Sequence, residues 1–445
     1  MMLIILRWIV LCFVFCLCSC RQTVTSVHVP NHWPHAKEIA TKKIINLSKT
    51  AWWKQFHDAR LNQILSCALK NNNDLNISIQ KIYQAQAELK TVQLSWIPGF
   101  PIIGGFSQLP IYGNPGTFLI AAPDYLLNIL QFYQKQKAAH AKMVASVHVR
   151  NAVRLSVIYQ VISSYMTLLS DHEAFFLIKN LIKNLEIKLQ LEKQRFRSGI
   201  VSMDSILMTE RTIHLMHARL AKIKEQIVKN ENILHYLMNE NPGEITTHQK
   251  FSKLNDQLPI PLHAPLCIIE NRPDIQESQF HLLEMKHQYQ ASIAELFPNI
   301  TLGGFFGYGR YMDGPINAPN ATISLNNLIP ALYGHISYQH VSFQKARVQY
   351  IRTVKRALKD IDTDLMRLGS DAKQLQEIDE AYQNIKNQCR LNAKRSQYGI
   401  ASDLQLLDCR IEQYQLALVK NQRKLYKMLS INQLFNDLAV GYHAT

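Results

Sequence analysis

The sequence predicts a mainly α-helical chain with a small β part, in which long antiparallel coiled-coil hairpins are joined to two β-hairpins and the plan is written twice. Three observations predict it. Long stretches almost lack helix breakers: between Gly116 and Gly243 the only glycine is Gly199, and no proline separates Pro123 from Pro242. Within those stretches apolar residues recur every seven positions, while short segments after Pro98 and Pro298 switch to period two. At an offset of 200 the chain aligns with itself. Asn73-Asp74-Leu75 matches Pro273-Asp274-Ile275, Trp96-Ile97-Pro98 matches Leu296-Phe297-Pro298, Arg195 to Gly199 matches Arg395 to Gly399, and Cys67 matches Cys267. An offset without slippage points to duplication of a whole unit and not to short-period stacking. The expected division is 61–260 for the first repeat and 261–445 for the second.

Met1 to Arg7 carries one positive charge, Trp8 to Leu17 is a short apolar core, and Leu17-Cys18-Ser19-Cys20 follows. This has the shape of a secretory signal over 1–19, and with fewer than about 20 apolar residues a spanning helix is the weaker reading. It also resembles a bacterial lipobox, Leu-x-Ser-Cys, which makes Cys20 the lipidated first residue of an anchored segment, 20–60. One set of acyl chains tethers a protein to a bilayer without spanning it.

Each half then has the same order of parts. A helical run comes first, Leu61 to Trp96 and Asp274 to Leu296, and proline ends it by disfavouring helix at the residue before it. A β-hairpin follows, about 97–130 and 298–334. Ile300, Leu302, Gly304, Phe306 and Tyr308 alternate with Thr301, Gly303, Phe305 and Gly307, and Pro101 to Ile111 is a looser version. Second strands are expected near Thr117 to Leu127 and Ala321 to Leu332. Four strands cannot close a barrel, so a membrane role requires several chains to pool theirs. Glycines in the strand 300–308 suit close backbone approach or a bend, and no Lys-Ser/Thr follows to make a phosphate loop.

The rest of each half is long helix. From Phe132 to Ser198 it extends ~100 Å at about 1.5 Å per residue. On the return arm Ile206, Ile213, Leu220, Ile227 and Leu234 recur every seven residues, with Met216, Ile223 and Leu237 complementary. After Gly399, Leu404, Leu407, Ile411, Tyr414 and Leu418 step by three and four. Both are coiled-coil seams.

Gly199 and Gly399 sit where these helices reverse. Glycine tolerates the left-handed conformation of a C-terminal cap, and Lys193, Arg195 and Arg197, or Lys394 and Arg395, place positive charge where it suits the helix dipole. Ser202 and Ser402 are expected to cap the next helices, with Ser402 and Gln405 spaced as a capping box, and Asp204 and Asp403 fall in the first turns. Asp408 stands apart. It lies beyond the reach of the dipole, and Leu404, Gln405, Ile411 and Glu412 at three and four residues offer no cation. It faces water or meets a partner from another helix.

The formal charge of +16 suits an anionic partner or, more simply, solvated helix faces. Dispersed cysteines without a CxxC pair read as buried small apolar residues, although Cys389 and Cys409 lie ten residues either side of Gly399, so a hairpin there can bring them face to face. Glu210, His214 and His217 share a helix face with no convergent fourth ligand, which favours a solvated polar stripe over a metal site. No Ser/His/Asp or Cys/His motif appears, and no enzyme, metal or cofactor is expected.

The lipobox, Trp52-Trp53-x-x-Phe56-x-Asp58-x-x-Leu61, Ala68-Leu69-Lys70-Asn71-Asn72-Asn73-Asp74-Leu75, Arg272-Pro273-Asp274-Ile275, Ala294-Glu295-Leu296-Phe297-Pro298 and the two Arg-x-x-x-Gly breaks together resemble the TolC-like outer-membrane efflux proteins. The likeness is to the lipoprotein branch serving resistance-nodulation-division pumps. The resemblance implies a homotrimer in outer-membrane lipid, with a 12-stranded transmembrane barrel and a periplasmic α-barrel tunnel. Residues Gly199, Ile200, Val201 and Gly399, Ile400, Ala401 would be the tips that dock a periplasmic adaptor, which joins the duct to an inner-membrane transporter. Asp408, with Asp403 and Arg395, would form the periplasmic aperture. The expected function is a passive exit duct for drugs or other small solutes. A type I protein-secretion duct is the alternative, and a basic coiled-coil binding protein, for instance of nucleic acid, is a rival of another class.

Overall fold

The computed structural model describes residues 29, 33, 47–107, 116–247, 249–258, 268, 270–309, 316–324, 330–398 and 402–444. Cys20 and the signal segment lie outside the described residues, as do Cys267, Gly399, Ile400 and Ala401.

Two 3-10 turns, Leu47–Lys49 and Trp52–Phe56, lead into helices α1 (Ala59–Asn71) and α2 (Asn73–Leu94). Strands β1 (Ile102–Ser107), β2 (Gly116–Ala121) and β3 (Asp124–Leu127) follow, then α3 (Ile129–Arg197) and α4 (Met203–Met238). The order returns with α5 (Pro273–Ala294), β4 (Asn299–Gly309), β5 (Ile316–Ser324), α6 (Pro330–Gln397) and α7 (Asp403–Asp437).

Where the sequence predicts one helix from Leu61 to Trp96, there are two. Asp58 starts α1 by accepting the backbone N–H groups of Arg60 and Leu61, and Asn72 breaks the run in extended conformation. Its side chain accepts the Leu75 N–H as the cap of α2 and donates to the Leu237 carbonyl at 3.0 Å. The break therefore docks this corner onto the end of α4.

The sheet is one antiparallel meander. β1 pairs β2, β2 and β3 both pair β4, and β4 pairs β5. Phe118 opposes Gly309 and Leu127 opposes Ile300 without any change of register, so β2 and β3 are one strand interrupted at Ala122-Pro123. The four strands expected are thus present, but the last is displaced. β5 is Ile316–Ser324, not 321–332, because its pairing with β4 ends at Asn299 opposite Ser324 and Pro330 opens α6. A Cβ at Gly307 would collide with the Leu119 carbonyl and the Ile120 backbone, so the glycine-rich strand serves close backbone approach at this position.

The seams pack as predicted. Ile206, Ile213, Leu234 and Leu237 are buried on α4, and Ile178, Leu181, Ile182 and Leu185 of α3 form one cluster with Ile213 and with Ile411 and Leu418 of α7. A larger core lies at mid-length. Trp52, Trp53 and Phe56 join Val161, Ile162 and Leu168 of α3, Ile361 and Leu365 of α6, and Ile431 and Phe435 of α7. Helix α3 contains an 18-residue window apolar enough to cross a membrane, and half of it is buried inside the protein, which fits a core helix.

Candidate functional site

At the first tip α3 ends in a Schellman motif. Gly199 N–H donates to the Phe196 carbonyl at 2.9 Å, Ile200 N–H to the Arg195 carbonyl at 2.9 Å, and Gly199 has φ of 72°. Only glycine takes that conformation without strain. Ile200 is exposed at the turn and Val201 half-buried. At the second tip Ser402 and Gln405 form the expected capping box. Ser202 does not cap with its side chain. The residue three places on, Ser205, turns its hydroxyl to Glu192 Oε1 at 2.9 Å, so no reciprocal bond returns to residue 202. Asp403 accepts a bond from the Ser396 hydroxyl at 3.1 Å, closing the neck of the turn, and Arg395 is exposed on the last turn of α6.

Asp408 meets a partner from the other hairpin. Its Oδ1 lies 2.7 Å from Lys188 Nζ on α3, and the same ammonium is 3.8 Å from Glu192. Ser205, Glu192, Lys188 and Asp408 thus make one polar chain from α4 through α3 to α7. Asp408 is half-exposed, so the pair contributes about 0–1 kcal/mol to folding. It bridges the two hairpins without contributing much stability.

Cys389 and Cys409 are joined in a disulfide with Cα atoms 5.5 Å apart, stapling α6 to α7 near the second tip. Buried thiols were the simpler expectation. Helix phase decides otherwise, because both residues face the seam beside Ile385. Glu210 pairs with Lys193 at 2.7 Å, and no metal-ligating cluster exists among the described residues.

At the opposite end the sheet has two unlike faces. Directly opposed residues share a face. Ile102, Phe106, Leu119, Ile300, Leu302, Phe306, Tyr308 and Ile323 lie on one, all exposed, with Ile102 at 72% and Ile323 at 74%. The other carries Asn299, Thr301, Asn320 and Thr322 beside Ile103 and Phe305. β4 and β5 have 11 and 9 residues, the length of a tilted strand that crosses a bilayer.

Two junctions escaped sequence reasoning. Asn128 is buried between β3 and α3, where it caps α3 through the Gln131 N–H and donates to the Ala294 carbonyl and to Asn299 Oδ1. Arg272 sits at the start of α5 and donates to both carboxylate oxygens of Asp274, at 3.0 and 2.8 Å, and to the Asp437 carbonyl at 2.5 Å. Next to Asp437, the Asp364 carboxyl is pushed up to about 8 by burial and by that neighbour. An Asn before a helical run and the Arg-Pro-Asp triplet were the available signals.

A sheet of four antiparallel strands joined to two helical hairpins whose outgoing arms exceed 65 residues defines the class: an outer-membrane channel fold. The Campylobacter jejuni CmeC outer membrane channel superposes with a TM-score of 0.78 at 20% identity, covering 94% of this chain and 93% of that one. By sequence, the chain is 24% identical over 373 residues to "Toxin and drug export protein A" of Aggregatibacter actinomycetemcomitans, covering 79% of each protein. It is 23% identical over 405 residues to "Probable outer membrane lipoprotein SilC" of Salmonella typhimurium, covering 85% of this chain and 86% of that protein. No family model matches the chain.

Proposed function

We propose that the chain is the outer-membrane exit duct of a tripartite efflux system, working as a homotrimer. The observation that carries it is the exposed apolar sheet face, whose outer strands β1 and β5 each pair on one side only among the described residues. Open edges are excluded from hydrocarbon, whereas three such sheets joined edge to edge close into a 12-stranded barrel that is apolar outside and more polar inside. The two halves, 61–260 and 261–445, are duplicated units: α2 and α5 have bounds 200 residues apart, as do the starts of α4 and α7. The helices extend into the periplasm as a tunnel. Cys20 carries the lipid anchor, and SilC is a relative described as a lipoprotein. The glycine tips, Gly199 to Val201 and Gly399 to Ala401, dock an adaptor that links the duct to an inner-membrane pump. No reaction is catalysed; the related proteins above are named for export and as membrane components.

Export of proteins is the second reading, because one relative is named for toxin as well as drug export. Deletion of the gene should raise cellular accumulation of a fluorescent efflux dye, with restoration by the intact chain. Unchanged accumulation together with loss of a secreted protein would favour the second reading.

Asp408, with Asp403 and Arg395 near it, forms the periplasmic aperture. The Lys188–Asp408 pair latches the second hairpin to the first, so Asp408→Ala should raise single-channel conductance of the purified trimer several-fold while leaving its melting temperature nearly unchanged. Unchanged conductance would reject the latch.

A further inference from the structure

The sheet-proximal parts of the two longest helices contain no acid. From 129 to 170 α3 carries Lys135, Lys137, Lys142, Arg150 and Arg154 and no Asp or Glu, and from 330 to 359 α6 carries Lys345, Arg347, Arg352, Lys355, Arg356 and Lys359 and again none. Asp171 and Asp360 then begin the mixed-charge portions that run to the tips. At about 1.5 Å per residue the acid-free portions cover roughly 60 and 45 Å of helix. The net charge of the chain is therefore not an even coat. It is concentrated at one level of the fold, in both halves.

Part of this charge is met by neighbours, since Lys135 and Lys142 share a groove with Glu88, Glu284 and Glu295. Lys142 pairs with Glu88 and Lys359 with Asp360, and Arg154 donates to the Ala444 carbonyl. Lys135, Lys345, Arg352, Lys355 and Arg356 are exposed and make no ion pair among the described residues. Arg352 and Arg356 stand four residues apart on one helical face, an arrangement that repels unless an anion relieves it. They border a groove of about 340 Å³ against α5, with Gln349, Thr353, Ser278 and His281. The acids facing this groove do not balance it. Glu284 is hydrogen-bonded to His281 at 3.1 Å and does not line the groove, so Glu277 is the one acid of the lining against two arginines.

We propose that this level of the duct is a cationic sleeve that favours anionic solutes, those bearing carboxylate or phosphate groups, over cations. The inference rests on the duct reading. A narrow wall of one sign with low-dielectric backing focuses the field and raises the local counter-ion concentration, and rings of Arg and Lys are what anion-conducting pores present. The Arg352 and Arg356 groove is the strongest point of that wall, since its guanidinium fork matches carboxylate and phosphate oxygens.

The test is the reversal potential of the purified full-length protein in a planar bilayer under a KCl gradient. The expected result is a permeability ratio of chloride to potassium above unity, falling roughly threefold in Arg352→Glu/Arg356→Glu and by a smaller step in Arg352→Gln/Arg356→Gln, which guards against misfolding of the double reversal. A conducting wild type that prefers potassium overturns the sleeve and leaves the duct standing, as does a ratio unmoved in both variants. Complete absence of conductance overturns the duct itself, and the sleeve with it.

Discussion

Trp52→Ala is expected to destabilise the protein by about 3–5 kcal/mol, the cost of truncating a large aromatic in a core that does not collapse around the space. Trp52 is 2% exposed. Its ring stacks on Phe435 with centroids 4.3 Å apart and meets Trp53 and Phe56 edge-on at 6.3 and 5.7 Å. It is one of the contacts that hold the segment before α1 against the end of α7. The neighbouring geometry depends on it: a Cβ at Gly441 would stand 2.7 Å from the Trp53 ring, and Gly441 N–H and His443 N–H donate to the Leu47 and Ser48 carbonyls. Loss of Trp52 should therefore release both chain ends together. Thermal unfolding and limited proteolysis of the purified protein check this, with new cleavage expected between residues 47 and 58. Trp52→Phe should recover most of the loss.

Arg272→Met is expected to cost a similar 3–5 kcal/mol, because it breaks a buried charge pair by removing one partner. Arg272 ties the first turn of α5 to the last turn of α7 through Asp274 and Asp437. Without it the Asp437 and Asp364 carboxyls face one another with the exposed Arg367, 3.7 Å from Asp364, as the nearby cation. The pH dependence has a definite sign. Asp364 has a folded-state pKa of about 8, above its ordinary value, so it is neutral below that pH and the folded state loses stability as pH rises through it. The wild-type melting temperature should therefore fall as pH rises from about 5 to about 8 and level off above it. A melting temperature that stays constant across that window would show that Asp364 does not hold its proton in the folded state.

Much of this was legible in the sequence, and for local reasons. Helix ends follow from Gly199 and Pro98, the capping box from Ser402 and Gln405, and the seams from the seven-residue recurrence that begins at Ile206. The caps and breaks act within one turn of their own residue, and the seam repeats every two turns of a single helix. β5 was misplaced because Ile316–Ser324 has weak alternation and carries Pro319, and only pairing with β4 identifies it as a strand. The break at Asn72 lies in a run of three asparagines, Asn71 to Asn73, inside an otherwise helical stretch, and it is held by the cap on Leu75 and by a bond to Leu237, 165 residues away. At the tip the sequence showed that Asp408 has no cation three or four residues away on its own helix. It could not show that Lys188 supplies one, since that depends on how the two hairpins are phased. The disulfide is intermediate: spacing allowed it, and helix rotation decided it.

The central claim is that three copies close one duct across the outer membrane. Native mass spectrometry of the protein extracted in detergent from separated outer membranes tests it most directly. The account predicts a complex of three lipidated chains whose N-terminal residue is Cys20. A monomer retaining Met1, recovered from the soluble fraction, would contradict it.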